Sequence, residues 1–270
     1  MVKKYFGFLA LLSIAGLGCT TNAITGRSQL SLVSEGDMQS MALTQYQQFL
    51  SQNKVVTSTS SKDAAMIRRV GQRLANAITQ YYTQRGQGSA LNGYKWEFNL
   101  VDSKEVNAWC MPGGKVVVYT GLLPVAQNEA SIAIVLGHEI THAVAGHGRE
   151  RYSQSLLAQG LGQLGGAALG NSPQAASVFN SIYAPSAQVG VLLPNSRKQE
   201  LEADHFGLIF AAMAGYDPRE AIPFWKRMAQ LSANGQKPPA LLSDHPSDDI
   251  RIQKLEELMP EALTYYKGGK

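Results

Sequence analysis

The chain has 270 residues, with 24 Lys and Arg against 20 Asp and Glu, so its formal net charge is +4 at pH 7. A charge this small is not the footprint of a nucleic-acid-binding protein, and we expect no nucleic acid among its partners. Of the two cysteines, Cys110 has no partner if Cys19 carries lipid, which excludes a disulfide framework; without lipidation, a disulfide between Cys19 and Cys110 becomes possible. With no repeat and no long charge run, the sequence predicts one domain with a full hydrophobic core, over residues 34–270.

The N-terminus has the pattern of a secretory signal. Lys3 and Lys4 precede an apolar stretch, and small residues lead to Cys19. We therefore predict a lipoprotein-type signal peptide over residues 1–18 and an N-terminal tether over residues 19–33. Cys19 would then be lipidated and would anchor the protein to the outer membrane, facing the periplasm. Plain secretion and an uncleaved anchor are the alternatives.

Two long helices and then a small sheet are predicted next. Helical patterns cover residues 34–52, with Ser34 as the N-cap, and residues 62–82. The fold class that follows is α+β, mostly helical, with a small antiparallel sheet ahead of a central apolar helix at residues 128–147. The strands of that sheet are expected at residues 94–101, 106–111 and 115–119, with a hairpin turn at Pro112, Gly113 and Gly114.

The central helix contains the motif H-E-x-x-H, formed by His138, Glu139 and His142. Four residues of helix turn the chain through about 400°, so both imidazoles leave the same face one turn apart and can bind one tetrahedral Zn²⁺. Glu139 lies beside them, where it can take a proton from water that the metal activates. The motif predicts a zinc metallopeptidase with one Zn²⁺ per chain.

His147 is the nearest candidate for a third metal ligand. The longer motif H-E-x-x-H-x-x-G-x-x-H would need a histidine at position 148 and a glycine at position 145, but those positions hold Gly148 and Ala145. If the helix continues, His147 faces away from His138 and His142. We therefore predict that His147 is not a ligand.

An acidic cluster further along the chain offers another ligand. Glu200 and Asp204 lie one helical turn apart, so Glu200 could reach the metal while Asp204 orients a ligand imidazole. Spacing alone favours equally a solvated helix start whose acidic residues interact with the helix dipole.

Five segments together resemble the minigluzincin metallopeptidases, a family that includes the CAAX prenyl endopeptidases and bacterial periplasmic lipoproteins. The resemblance spans nearly the whole chain. Its segments are T-N-A-I-T-G-R at 21–27, N-A-W-C-M-P-G-G at 107–114, H-E-I-T-H at 138–142, E-L-E-A-D at 200–204 and H-P-S-D-D-I-R-I at 245–252.

The resemblance implies roles for several of these residues. It makes Glu200 the third zinc ligand and places Asn107 near the substrate cleft, although a polar residue beside a turn is an equally good reading of Asn107. It also brings His245 and Arg251 to the active site. His245 would cap the open zinc position or bind the oxyanion, and Arg251 would stabilise developing negative charge.

Two functions are compatible with the resemblance. The first is a zinc endopeptidase of the bacterial cell envelope that cleaves unfolded or misassembled envelope and outer-membrane proteins. The alternative is an assembly factor with a chaperone-like role and largely latent proteolysis, which would act with the outer-membrane assembly machinery. A CAAX-processing enzyme is disfavoured because the chain lacks several long apolar spans.

Overall fold

The computed structural model describes residues 18–57, 59, 61–160, 172–183, 197–233, 241–242 and 249–268. Within these ranges the protein is mostly helical with two small sheets, which confirms the predicted α+β class. The helices are α1 (Glu35–Gln52), α2 (Lys62–Gln84), α3 (Leu123–Ala126), α4 (Glu129–Val144), α5 (His147–Ala158), α6 (Pro173–Tyr183), α7 (Arg197–Met213), α8 (Ala221–Ala233) and α9 (Asp249–Tyr265).

The larger sheet has four strands, β3 (Val55–Val56), β4 (Glu97–Val101), β5 (Ala108–Met111) and β6 (Lys115–Tyr119). Their order across the sheet is β3, β4, β6, β5. Strands β5 and β6 form the predicted antiparallel hairpin, with positive φ angles at Gly113 and Gly114 in its turn. Strands β4 and β6 are parallel, so the expectation of a wholly antiparallel sheet is wrong for this pair.

Strands β1 (Cys19–Thr21) and β2 (Ser28–Leu30) pair antiparallel within residues 18–33, which we call the N-terminal hairpin. This segment, predicted as a tether, is folded against the end of α4. The side chains of Asn22 and Gln29 both donate to the carbonyl oxygen of Ala145, over 2.7 and 2.9 Å. These bonds satisfy a helix-end carbonyl that has no partner within the helix.

Helix α4 is buried along almost its whole length, between the sheet and helices α2 and α7. Its apolar positions face the core on several sides, as the continuous apolar pattern predicts. Helix α2 also packs so closely on β4 that a Cβ at Gly71 would lie 2.2 Å from the ring of Phe98. Edge strand β5 packs directly against α4 and so runs beside the H-E-x-x-H motif.

The ends of the chain bear on the membrane predictions. The segment predicted as a signal peptide lies outside the described residues except for Gly18, and none of the described helices is long and apolar enough to cross a membrane. Cys19 is exposed in β1, and neither it nor Cys110 forms a disulfide. Lipidation of Cys19 stays a prediction.

Candidate metal centre

Helix α4 presents His138 and His142 on one face, one turn apart. Asn128 begins the helix as its N-cap, accepting a hydrogen bond from the Ser131 amide. The Nε2 atoms of the two imidazoles are 3.1 Å apart. Both side chains are buried, so their inward-facing nitrogens need partners other than water.

Helix α7 supplies a carboxylate to both imidazoles. One oxygen of Glu200 lies 3.3 Å from Nε2 of His138, and the other lies 3.4 Å from Nε2 of His142. The ligand atoms of these three residues all lie within 4.8 Å of one another. The pair of helices therefore forms a buried His-His-Glu group that can hold a metal ion.

Two glycines bring α4 and α7 close enough for this group to form. A Cβ at Gly137 would lie 2.7 Å from the carbonyl oxygen of Gly207, and a Cβ at Gly207 would lie 2.8 Å from the His138 amide nitrogen. These neighbours are backbone atoms, which cannot rotate away as a side chain can. Only glycine at both positions lets the helices approach to this distance.

Asp204 supports His138 from the side opposite the metal position. Its carboxylate lies 2.9 Å from Nδ1 of His138, one turn along α7 from Glu200. Burial and the charge of Arg251 lower the pKa of His138, but the hydrogen bonds of Asp204 and Glu200 raise it by more, to about 9. The carboxylates thus favour a positive charge here, which a bound metal ion would supply in place of the proton.

Arg251 lies on α9 and is only 4% exposed. Its Nε and Nη2 atoms donate to Asp204 over 2.7 and 2.6 Å, and its guanidinium lies over the ring of Trp225. These two donors hold the carboxylate behind His138, so Arg251 positions Asp204. Its predicted role in stabilising charge on the substrate stays a prediction.

The region behind His142 differs from the prediction. Helix α4 ends at Val144, and Gly146, with a φ of 65°, turns the chain so that α5 begins at His147. This break brings Nδ1 of His147 to 2.9 Å from Nδ1 of His142. His147 is outside the His-His-Glu group, but it packs behind His142 and does not face away, because the helix does not continue.

Glu202 and Arg27 complete the support of His142, and the sequence reasoning missed both. Nε2 of His147 lies 2.9 Å from Glu202, and Arg27 of the N-terminal hairpin donates to Glu202 over 2.8 Å. Arg27 also pairs with both oxygens of Glu150. Burial raises the pKa of Glu202, but the hydrogen bonds from His147 and Arg27 lower it by more, so this carboxylate is ionised at pH 7.

Glu139 is buried on α4 between the two histidines in sequence. It faces the sheet closely enough that burial and then its negative charge raise the pKa of the Cys110 thiol on β5. Cys110 is therefore a neutral, half-buried side chain. Glu139 thus lies next to His138 in the sequence, on the helix that packs against the edge strand.

The structure describes Asn107 but not His245, the two remaining residues predicted to lie at the active site. Asn107 is buried at the start of β5, where its side-chain oxygen accepts from the Ala108 amide over 2.9 Å. This contact is the one expected of a polar residue beside a turn, and a substrate-binding role for Asn107 stays a prediction. His245 lies outside the described residues, so its role also stays a prediction.

Comparison with known proteins identifies related metalloendopeptidases. The chain is 37% identical over 174 residues to the mitochondrial metalloendopeptidase OMA1 of Schizosaccharomyces pombe, which covers 64% of this chain and 50% of that protein. It is 33% identical over 245 residues to human OMA1, covering 89% of this chain and 46% of the human protein. The chain thus spans about half the length of these relatives.

The chain is also similar to a bacterial protease. The β-barrel assembly-enhancing protease of Yersinia pestis is 33% identical over 183 residues, which cover 65% of this chain and 37% of that protein.

The comparisons contradict the predicted location. The relatives from Schizosaccharomyces pombe, Arabidopsis thaliana, Saccharomyces cerevisiae and Homo sapiens are all named as mitochondrial, so the prediction of a periplasmic outer-membrane lipoprotein is wrong on this finding. The physical reason is that a leader is an address read by a receptor. Its apolar and basic residues do not by themselves specify a compartment.

Residues 61–259 match the profile of peptidase family M48. The match covers α2, the larger sheet beyond β3, the H-E-x-x-H helix and the helix that carries Glu200. It confirms the resemblance to the minigluzincin metallopeptidases. The chain belongs to peptidase family M48.

Proposed function

We propose that this protein is a zinc-dependent endopeptidase that cleaves unfolded or misassembled proteins. The observation that carries the proposal is the spacing of His138, His142 and Glu200. The two Nε2 atoms lie 3.1 Å apart, one oxygen of Glu200 lies 3.3 Å from Nε2 of His138, and its other oxygen lies 3.4 Å from Nε2 of His142. With one oxygen taken from Glu200, the three ligand atoms all lie within 4.8 Å of one another. A tetrahedral Zn²⁺ bound at 2.0 to 2.1 Å holds its ligand atoms about 3.3 Å apart. Two nitrogens and one oxygen also form a usual ligand set of catalytic zinc.

Glu139 is the proposed general base. When bound, Zn²⁺ would act as a Lewis acid that activates water and polarises the scissile carbonyl. The carboxylate of Glu139, next to a ligand on the same buried helix, would take the proton of the water and then transfer it to the nitrogen of the leaving amine. Asp204 and Arg251 hold the His138 ring in place during these steps.

Strand β5 is the proposed binding site for the substrate backbone. It is an edge strand of the larger sheet, and its partner β6 occupies one of its two sides. An extended peptide could add to the other side through main-chain hydrogen bonds, beside α4 and Glu139. Because such bonds read little sequence, they suit unfolded segments of many proteins.

The name of the Yersinia pestis relative supports a second candidate function. That protein is described as enhancing β-barrel assembly. By analogy, this chain would assist the assembly of a client protein while its proteolysis stays mostly latent. His245 would then cap the metal at rest, as the resemblance implies.

The test measures zinc content and cleavage of unfolded casein by the full chain, beside Glu139→Gln. We expect one zinc per chain in both proteins and loss of cleavage in the variant. Glu129→Gln is the matched control, because Glu129 lies in the first turn of the same helix, half-exposed and paired with Arg69. The control should cleave at the wild-type rate.

Each outcome separates the candidates. If the wild type binds zinc but cuts casein only after His245→Ala, the latent assembly role is favoured. If wild type and His245→Ala both bind zinc without cutting, the endopeptidase proposal fails. Absence of zinc from the wild type would overturn both readings of the site.

A further inference from the structure

A continuous chain of polar contacts joins the N-terminal hairpin to His142. Nδ1 of His142 lies 2.9 Å from Nδ1 of His147, and Nε2 of His147 lies 2.9 Å from Glu202. Arg27 then donates to Glu202 through Nε and Nη2, over 2.8 and 3.1 Å. These contacts link residues that are 175 positions apart in the sequence.

Metal binding through His142 would determine the direction of the two hydrogen bonds made by His147. Nε2 of His142 faces Glu200 and the other ligand, so its lone pair is directed at the metal and its proton lies on Nδ1. That proton is donated to Nδ1 of His147, which leaves the proton of His147 on Nε2, directed at Glu202. Arg27 donates to the same carboxylate and holds it in the ionised form that accepts both bonds.

Burial makes these contacts difficult to replace with water. His147 is fully buried, and the side chains of Glu202 and Arg27 are 14% and 15% exposed. Glu150 accepts from Arg27 on its other side and also from Gln199, so the guanidinium is held between two carboxylates. The hairpin is itself fastened at the Ala145 carbonyl, at the point where α4 ends.

We propose that the N-terminal hairpin is a positioning element of the metal site. Arg27, acting through Glu202 and His147, sets the orientation and tautomer of the His142 ring. The inference rests on the proposed function, since it takes zinc as the metal held by His142. It goes further by assigning Arg27, Glu202 and His147 as residues that position His142 without binding the metal themselves.

An ordinary ion-pair cluster would make a different prediction. If Arg27 and its carboxylates only stabilise the fold, their loss lowers the melting temperature and leaves the metal site unchanged. If they position His142, their loss weakens zinc binding and alters the ligand field at the metal. Replacement of a group that supports a metal ligand typically costs about 10-fold to 100-fold in metal affinity.

The experiment uses the full chain and measures zinc affinity by competition with a chelator, the visible spectrum of the Co²⁺ form, and the melting temperature. The variants are His147→Phe, Glu202→Gln, Arg27→Gln and Arg27→Lys. His205→Phe is the matched control, because His205 also lies on α7 and pairs with a glutamate, Glu261, but is outside this network.

We expect His147→Phe and Glu202→Gln to weaken zinc binding about 10-fold or more and to shift the Co²⁺ spectrum. Arg27→Gln should weaken it by a smaller factor. Arg27→Lys should recover only part of the loss, because an ammonium cannot bind two carboxylates in the forked geometry of a guanidinium. His205→Phe should match the wild type in affinity and spectrum.

Two results would overturn the inference. Variants that bind zinc within about twofold of the wild type, with an unchanged Co²⁺ spectrum and only a lower melting temperature, would show a structural ion-pair cluster. Wild-type zinc affinity and an unchanged Co²⁺ spectrum in Arg27→Gln would show that the N-terminal hairpin takes no part in orienting His142. If His147→Phe does not fold, the comparison between Arg27→Gln and Arg27→Lys still decides the question. A wild-type protein without zinc would instead refute the proposed function.

Discussion

The two histidines of the proposed metal site are supported in different ways. His138 contacts the carboxylate of Asp204 directly, and that carboxylate is paired with Arg251 in the interior of the protein. His142 reaches its carboxylate through a second imidazole, and the paired cation comes from the N-terminal hairpin. Both carboxylates belong to α7 and lie two residues apart. One helix therefore orients both imidazoles, but with cations drawn from opposite ends of the chain.

The difference in burial predicts which support contributes more to stability. Arg251 and Asp204 have side chains only 4% and 3% exposed, whereas Arg27 and Glu202 are 15% and 14% exposed. A buried charge that loses its partner cannot be solvated in place. We therefore expect the stability of the fold to depend more on the pair of Asp204 and Arg251. The pair of Glu202 and Arg27 should tolerate substitution better.

The largest expected effect is that of Asp204→Ala. This change leaves Arg251 buried without its main carboxylate, so we expect the free energy of unfolding to fall by about 3 to 5 kcal/mol. Glu202→Ala should cost only about 1 to 2 kcal/mol, because Arg27 keeps its bond to Glu150. Chemical denaturation of the two variants measures both values.

Asp217→Ala is the control for this comparison, since Asp217 also pairs with an arginine but at the surface, where Arg219 is 64% exposed. Its loss should change the free energy of unfolding by about 1 kcal/mol or less. Equal losses for Asp204→Ala and Glu202→Ala would contradict the ranking of the two supports.

The next prediction concerns the close contact between α4 and α7 at Gly207, which brings Glu200 to both histidines. Gly207→Ala would place a Cβ 2.8 Å from the His138 amide nitrogen and would push α7 away from α4. Such overpacking costs about 1 to 3 kcal/mol. Because Glu200 moves with α7, metal affinity should also fall, as measured by chelator competition beside denaturation.

Gly36→Ala is the control for the glycine prediction. Gly36 lies exposed in the first turn of α1, where the nearest heavy atom to a new Cβ is 3.9 Å away. Alanine there should leave metal affinity unchanged and stabilise the protein by up to about 1 kcal/mol. Wild-type zinc affinity in Gly207→Ala would show that the close approach of the helices is not needed for the site.

The two supports also differ in how far they could be predicted from sequence. Asp204 lies four residues after Glu200, so helical spacing placed the two side chains on one face. His147 was missed because the prediction assumed that α4 continues past Val144. The signal that could have corrected it is Gly146, since a glycine just beyond a helix commonly ends it in the left-handed conformation.

Arg27 and the parallel pairing of β4 with β6 were beyond such reasoning for another reason. The contact between Arg27 and Glu202 spans 175 residues, and no local periodicity encodes it. The strands of the larger sheet were predicted from their own patterns, but which strand lies beside which depends on the whole fold. The location was predicted from a leader, and the related proteins contradict it.

The smallest expected effect is on how the ion pair between Arg27 and Glu150 stabilises the protein at different pH values. Burial raises the pKa of Glu150, but the hydrogen bonds from Arg27 and Gln199 lower it by more, so the folded value lies below the ordinary value of about 4.3. An ionised Glu150 therefore stabilises the protein fully above that pH, and this stabilisation is lost as the pH falls through the lowered pKa. Glu150→Gln should lower the melting temperature by about 2 to 4 °C at pH 7, and the difference from wild type should shrink towards pH 3.

Glu105→Gln, at an exposed position before β5, is the control for Glu150→Gln and should track the wild type at each pH. A Glu150→Gln difference that stays constant from pH 7 to pH 3 would show that the side chain acts by packing and not by charge. The ion pair between Arg27 and Glu150 would then not be what holds the hairpin against the rest of the protein. A shrinking difference would show that the carboxylates on either side of Arg27 hold the hairpin electrostatically, in contrast to the interior pair behind His138.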